Sequence, residues 1–352
     1  MNGHRAAAVA LTICTTLLIS SQAAAPSAWA DRTSHGGAGS EVKGGASGRV
    51  ITAQTRVRTS VHGGGTDHAS ATGSPSPVGV AWTPPACWYE PAFSPKEIES
   101  TVKAWRAFGV NAPLVGGIGH VISAALEHRY KDGHPYKNYN LSKQGEGIFW
   151  ASVINPNRQD DPEATSCDRQ PFWVDEGQTP AEPMAASPEI LAQYAYDELP
   201  VPGTEIKMAP RARSTVNLPT WVWLDEGRFK KISVTASLPG TGLSATTTAE
   251  PESLHIDPGT PDATRFPASG GCAPRKGGGI GEPYARGKAE TAPPCGVTYL
   301  RSTAANETYA LRATLTWKIR WSSSTGEGGG LPSGSFGATQ RIPVQEIQSV
   351  NR

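Results

Sequence analysis

The strongest constraint on this chain is the strict alternation of apolar and polar residues in "YALRATLTWKIRW", from Tyr309 to Trp321. Successive side chains of a β-strand point to opposite faces, so this pattern predicts a long strand with one buried face. The apolar set is Leu311, Ala313, Leu315, Trp317, Ile319 and Trp321, and the polar set is Arg312, Thr314, Thr316, Lys318 and Arg320.

The same period continues through residues 211–352, where "FKKISVTASL" also alternates and turn sequences such as "DEGR" and "PGTG" separate the runs. Short antiparallel strands at this spacing predict an all-β sandwich. The predicted strands are Thr215–Leu224, Phe229–Leu238, Leu243–Ile256, Gly296–Arg301, Thr308–Ser322 and Ala338–Val350.

Residues 81–210 have a different pattern, which predicts a loop-rich α+β domain. Ser94 followed by Glu97 forms a capping box before one helix, and Ser187 followed by proline begins a second. Between these helices the sequence has one short apolar run, Ile148–Ile154, and we expect irregular structure around it.

The N-terminus predicts export. An apolar run follows Arg5 and ends in "APSAWA", so residues 1–30 are typical of a cleavable signal peptide; a lipoprotein signal ending at Cys14 is the less favoured alternative. Residues 31–80 are rich in Gly, Ser and Thr and predict a flexible linker. Within it, "RVITAQTRVRTSV" is a candidate for a lone strand that docks elsewhere.

Cleavage would leave four cysteines, Cys87, Cys167, Cys272 and Cys295. An even number in an exported protein predicts two disulfides, for which three pairings exist. We favour Cys87–Cys167 with Cys272–Cys295, because each bond then lies within one proposed domain. A zinc site is not expected, since no C-x-x-C spacing occurs.

The charge balance limits the kinds of partner. The full chain has 32 Lys and Arg against 31 Asp and Glu, and loss of Arg5 leaves 31 of each. A formal charge of zero argues against binding to nucleic acid through bulk charge. We also expect no stable membrane insertion and no cofactor.

Two aromatic clusters are candidate ligand or interface sites. The first, "WTPPACWYEP", contains Trp82, Trp88 and Tyr89, and the second, "NLPTWVWLD", contains Trp221 and Trp223. Because "TWVWL" is apolar on both faces, either the tryptophans or the intervening valine and leucine must lie outside the sandwich core. We expect buried or interface tryptophans rather than a platform that stacks on sugars.

No enzyme motif is complete. The sequence has no G-x-S-x-G elbow and no H-E-x-x-H, and "GEPYARGKA" has one spacer residue too many for a phosphate loop. We therefore predict no catalytic, cofactor-binding or metal-ligating residue. The weaker candidates are a carboxylate group, Asp160, Asp161 and Glu163, and a second group, His120, Glu127, His128 and His134, and neither follows a fixed ligand spacing.

Two resemblances add to this interpretation. "TYALRATLTW" resembles the late strand of immunoglobulin-like and PKD-like β-sandwich domains, which implies that Tyr309 forms a tyrosine corner. Cys272 and Cys295 flank a glycine-rich loop, unlike the cysteines of antibody domains. "WTPPACWYEP", "NLPTWVWL" and "PPCGVTYLRS" are similar to a group of uncharacterised secreted actinobacterial proteins, which implies export but no mechanism.

The sequence thus predicts a secreted, disulfide-stabilised, non-catalytic protein, located outside the cell or in the envelope. Its expected partners are envelope or surface proteins or cell-wall glycan. The alternative is a secreted hydrolase of cell-wall polymers, with its site in residues 82–210.

Overall fold

The computed structural model describes residues 45–47, 50–63, 76–77, 83–111, 118–227, 229–276 and 279–347, with the backbone alone for 45–47, 76–77, 108–111 and 118–120. β-Strands predominate, as the alternating sequence predicted. The predicted signal peptide and most of the predicted linker lie outside the described residues.

Four sheets and three α-helices make up the described chain. The helices are α1 (Pro95–Asn111), α2 (Ile118–Tyr130) and α3 (Pro188–Asp197). The five-stranded sheet contains β1 (Gly45–Ser47), β2 (Val50–Ala53), β5 (Cys87–Phe93), β6 (Gly147–Ile154) and β7 (Phe172–Asp175). The seven-stranded sheet contains β3 (Arg58–Gly63), β4 (Ser76–Pro77), β11 (Ile232–Leu238), β12 (Leu243–Asp257), β14 (Gly271–Cys272), β16 (Tyr309–Ser323) and β17 (Gly328–Ile342). The four-stranded sheet contains β8 (Lys207–Ala209), β10 (Pro219–Trp223), β13 (Ala263–Phe266) and β15 (Gly296–Tyr299), and β9 (Ser214–Thr215) pairs with β18 (Val344–Gln345).

The two predicted helix starts are confirmed. The Ser94 backbone N–H donates to Glu97 Oε2 at 2.7 Å, and the Glu97 N–H donates to Ser94 Oγ at 3.3 Å, which completes the capping box. Ser187 Oγ accepts the N–H of Ile190 at the start of α3. The irregular structure expected around Ile148–Ile154 is found in part. The apolar run forms β6 and residues 172–175 form β7, whereas short 3-10 helices and turns lie between these strands. Helix α2 was not predicted.

Helix α3 lies between two sheets. Thr247 Oγ1 on β12 donates to the carbonyl of Ala192 at 2.7 Å, so one side of the helix contacts the seven-stranded sheet. On another side, Tyr194 meets the Trp88 ring of β5 edge-on, with ring centroids 5.4 Å apart. The helix is therefore buried from both directions and joins the two halves of the chain in one core.

The long strand β16 forms as predicted and pairs with β12 and β17. The last predicted strand, Ala338–Val350, is confirmed only in part, because β17 begins ten residues earlier and runs over Gly328–Ile342, and β18 follows at Val344–Gln345. The glycines of β17 have low strand propensity, but they fit close to β16: a Cβ at Gly328 would meet the Trp321 carbonyl oxygen at 2.7 Å. Backbone pairing with β16, and not strand propensity, therefore makes this segment a strand.

Part of the predicted linker is built into the fold. β2 pairs in parallel with β6, and β3 pairs antiparallel with β11 at the edge of the seven-stranded sheet. The expectation of a flexible linker was therefore wrong for residues 50–63, where a docked strand was the stated alternative. The remaining linker residues, apart from 45–47 and 76–77, lie outside the described part of the chain.

The contacts divide the chain into Met1–Glu41 and Val42–Arg352, and the first unit lies outside the described residues. Buried side chains on both sides of residue 210 belong to one hydrophobic cluster. The proposed boundary between residues 81–210 and 211–352 stays a prediction. None of the helices in the described part of the chain combines the length and apolar character needed to cross a bilayer.

Candidate binding surface

The outer face of the seven-stranded sheet is lined by polar side chains. The inward residues of β11, β12 and β16 are buried against α3 and the core, and the alternate positions point to the other side. We call this outer surface the hydroxyl face. Its residues include Ser233, Thr235, Thr246, Thr248, Thr314, Thr316, Lys318, Arg320 and Ser322, and each is exposed or half-buried.

Cross-strand hydroxyl pairs fix part of this face. Ser233 Oγ lies 2.9 Å from Thr248 Oγ1, and Thr235 Oγ1 lies 2.7 Å from Thr246 Oγ1. β-Branched threonines have restricted χ1 rotamers, so the hydroxyl positions are largely set before any ligand arrives. Each hydroxyl oxygen keeps a lone pair, so the rows can still accept hydrogen bonds from outside.

The charges on the hydroxyl face are unbalanced. Lys231 Nζ pairs with Glu250 Oε1 at 3.1 Å. Lys318 and Arg320 are exposed and form no ion pair with any described residue. Both border a shallow depression of about 230 Å³, with Thr246, Thr248 and Ser322 beside them.

A second cleft of about 590 Å³ lies where β16 begins. Its lining includes Arg265 from β13 and Arg312 from β16, and neither arginine forms an ion pair within the described chain. Asp257 also lines the cleft, and its Oδ1 accepts the N–H of Gly259 at 2.9 Å. This end of the sheet therefore carries two guanidinium groups and one carboxylate.

The two described residues of the first aromatic cluster, Trp88 and Tyr89, are buried. Trp88 is fully buried and its Nε1–H donates to Glu90 Oε2 at 2.8 Å. Tyr89 is 4% exposed, and its hydroxyl accepts the N–H of Arg169. Trp82 lies outside the described residues.

The side chains of the second cluster lie alternately on the two sides of their strand. Val222 and Leu224 belong to the hydrophobic core. Trp221 is also buried, but under the loop that the Cys272–Cys295 disulfide closes: Tyr284 meets its ring edge-on at 6.0 Å, and Lys288 Nζ lies 5.5 Å from its centroid. Trp223 is half-buried. This arrangement is the one expected for a strand that is apolar on both faces.

Glu90 is a buried carboxylate that the sequence analysis missed. It is fully buried, accepts hydrogen bonds from Thr55 Oγ1 at 3.0 Å and from the Arg56 backbone N–H, and lies beside Trp88. Burial raises the pKa of its carboxyl group, although the hydrogen bonds from Arg56, Trp88 and Thr55 oppose this shift. The one available signal was a single acidic residue inside the apolar run "CWYEPAF".

The weaker catalytic candidates have structural contacts. Asp161 Oδ1 accepts the Glu163 N–H at the start of a short 3-10 helix, Pro162–Thr165, and its other oxygen pairs with Arg158. These hydrogen bonds lower the pKa of Asp161. The His128 and His134 rings stack with centroids 4.2 Å apart and an interplanar angle of 2°. Their nitrogen lone pairs therefore lie in two parallel planes and do not converge on one ion. The His120 side chain lies outside the described residues.

No metal centre is evident in the described part of the chain, where no three His, Cys, Asp or Glu side chains are grouped to hold an ion. The predicted disulfides are confirmed. Cys87 and Cys167 have Cα atoms 6.0 Å apart, and Cys272 and Cys295 have Cα atoms 5.6 Å apart. The favoured pairing is therefore the one that forms.

Comparison with known proteins finds no matching family model, no matching curated protein and no matching solved structure. The function has to be inferred from the surface itself.

Proposed function

We propose that this protein is a secreted, disulfide-stabilised, non-catalytic binding protein of the cell surface or extracellular space. The observation that supports this best is the hydroxyl face, where ordered hydroxyls and unpaired cations lie on a rigid sheet and point to solvent. Two disulfides support an oxidising compartment.

The buried carboxylate does not favour the alternative hydrolase function. A raised pKa often marks a general acid, but substrate must reach such a group. Glu90 is fully buried and its oxygens accept hydrogen bonds from neighbouring residues. Its contacts with Thr55 and Arg56 instead hold the segment between β2 and β3 in place.

Binding through the hydroxyl face can be tested without changing its charge. Ser322→Tyr places a bulky ring beside the depression, and Thr264→Tyr makes the same type of change at an exposed position of β13. We expect the full mature chain to co-sediment with isolated cell envelopes, Ser322→Tyr to lose this binding, and Thr264→Tyr to keep it. Equal co-sedimentation of both variants would contradict the assignment of the site.

Secretion has its own test. We expect the protein recovered from culture medium to begin near Asp31 and to contain no free thiol, as intact-mass analysis with and without alkylation would show. Protein retained inside the cell, or two alkylated cysteines in folded and unreduced material, would contradict the proposal.

We also propose that the C-terminal part belongs to the immunoglobulin-like class. Tyr309 supports this, because its hydroxyl donates to the carbonyl of Ser302 at 3.4 Å, seven residues upstream, as in a tyrosine corner. Tyr309→Phe should then lower the free energy of unfolding by about 1 kcal/mol, measured by urea denaturation. An unchanged free energy would remove this support.

A further inference from the structure

We propose that the ligand of the hydroxyl face is a linear anionic glycopolymer that lies along β16. This inference rests on the proposed function and names the class of molecule that the same surface binds. It is drawn from the positions of the unpaired cations, from the hydroxyls between them, and from the two depressions at which these cations lie.

The cations are spread along one strand. Arg312, Lys318 and Arg320 share the outward side of β16, and all three are exposed. At about 3.4 Å per residue, Arg312 and Lys318 are separated by about 20 Å. A single small anion cannot reach both positions, whereas a polymer with repeated charges can engage both and gain avidity.

Each end of this row has a recess. Arg312 shares its cleft with Arg265, and Lys318 and Arg320 border the smaller depression. The facing acidic groups are Asp257 at the first end and Glu250 at the second, and Glu250 is already paired with Lys231. The cations therefore outnumber the available carboxylates at both ends.

Between the two ends the surface offers hydroxyl groups. Thr314 and Thr316 lie between Arg312 and Lys318 on the outward side of β16. Hydroxyls at fixed positions suit the hydrogen-bonding groups of sugars or polyols in a polymer backbone.

Nucleic acid fits this surface less well. Binding of single strands relies on aromatic side chains that stack on the bases. The outward residues of β11, β12 and β16 include no tryptophan, tyrosine or phenylalanine. Trp321 borders the depression, but it belongs to the inward-facing set of β16.

The test measures binding of the full mature chain to four polymers of similar length. Poly(glycerol phosphate) supplies phosphodiesters, polygalacturonate supplies carboxylates, single-stranded DNA supplies phosphates with bases, and dextran is neutral. We expect binding to one or both of the first two, weaker binding to DNA, none to dextran, and loss of affinity as salt rises. The preferred polymer of the first two identifies the anionic group.

The variant Arg312→Gln/Lys318→Gln/Arg320→Gln should bind the preferred polymer about tenfold more weakly, a loss of about 1.4 kcal/mol shared by three weak, exposed ion pairs. The control Lys96→Gln/Lys137→Gln/Arg286→Gln removes the same charge from exposed positions elsewhere and should bind like the wild type. Melting temperatures of both variants establish that they fold. If the triple variant does not fold, Arg312→Gln alone should weaken binding of the long polymer more than that of an oligomer shorter than the row, because the oligomer can still bind at Lys318 and Arg320.

Three results would overturn the inference: binding to dextran as tight as to the anionic glycopolymers, preference for DNA, or equal affinity of the triple variant and its control. The proposed function would survive these results if Ser322→Tyr still abolished envelope binding. Envelope binding that is insensitive to Ser322→Tyr would instead refute the proposed function itself.

Discussion

Trp317 and Lys318 are chain neighbours with opposite surroundings. Trp317 is fully buried among the core side chains, and Lys318 is exposed on the hydroxyl face. Trp317→Ala should lower the free energy of unfolding by about 3–5 kcal/mol because it leaves a cavity. Lys318→Ala should change it by no more than about 0.5 kcal/mol. Chemical denaturation of the two variants measures this contrast, and equal small losses would contradict the assigned faces.

At the residue scale, the buried carboxyl group of Glu90 should make the free energy of unfolding depend on pH. Burial raises its pKa in the folded protein, so as pH rises the unfolded chain releases this proton first. The stability contributed by protonated Glu90 is therefore complete below its ordinary pKa and is lost as pH rises towards the raised value. Glu90→Gln does not titrate, so we expect the unfolding free energy of wild type minus that of the variant to fall as pH rises above the ordinary glutamate pKa of about 4. A difference that is constant or increases with pH would contradict the assigned shift.

At the scale of elements, the loop closed by Cys272 and Cys295 holds Tyr284 and Lys288 against Trp221. The bond joins positions 23 residues apart, so its loss should cost about 3 kcal/mol through the entropy of the unfolded chain. We expect Cys272→Ala/Cys295→Ala to show this loss in urea denaturation and to expose Trp221 to acrylamide quenching. Adding Trp221→Phe to the double variant should remove the extra quenching. Unchanged quenching in the double variant would mean that the loop holds its position without the disulfide.

At the scale of the whole molecule, α3 links the two predicted domains. It packs on the inward face of β12, where the Thr247 hydroxyl donates a hydrogen bond to the Ala192 carbonyl. A fragment of residues 211–352 lacks this helix, so we expect it to form β-sheet but to melt at a lower temperature than residues 187–352, because apolar surface beneath α3 becomes exposed. Circular dichroism during heating measures both fragments. Equal melting temperatures would mean that α3 does not stabilise this sheet.

The sequence by itself determined the features that local physical chemistry controls. Strict alternation defined β16 and its two faces, and serine-proline pairs defined the starts of α1 and α3. The cysteine count, with the preference for bonds within one proposed domain, led to the correct disulfides. Tertiary structure decided the rest. The glycine-rich β17 exists because β16 offers a complete backbone partner, and residues 50–63 dock because the two sheets have free edges for them. The surface on which Arg312, Lys318 and Arg320 lie beside the hydroxyls of neighbouring strands could be recognised only in the tertiary structure. Such contacts join residues that are far apart in the chain.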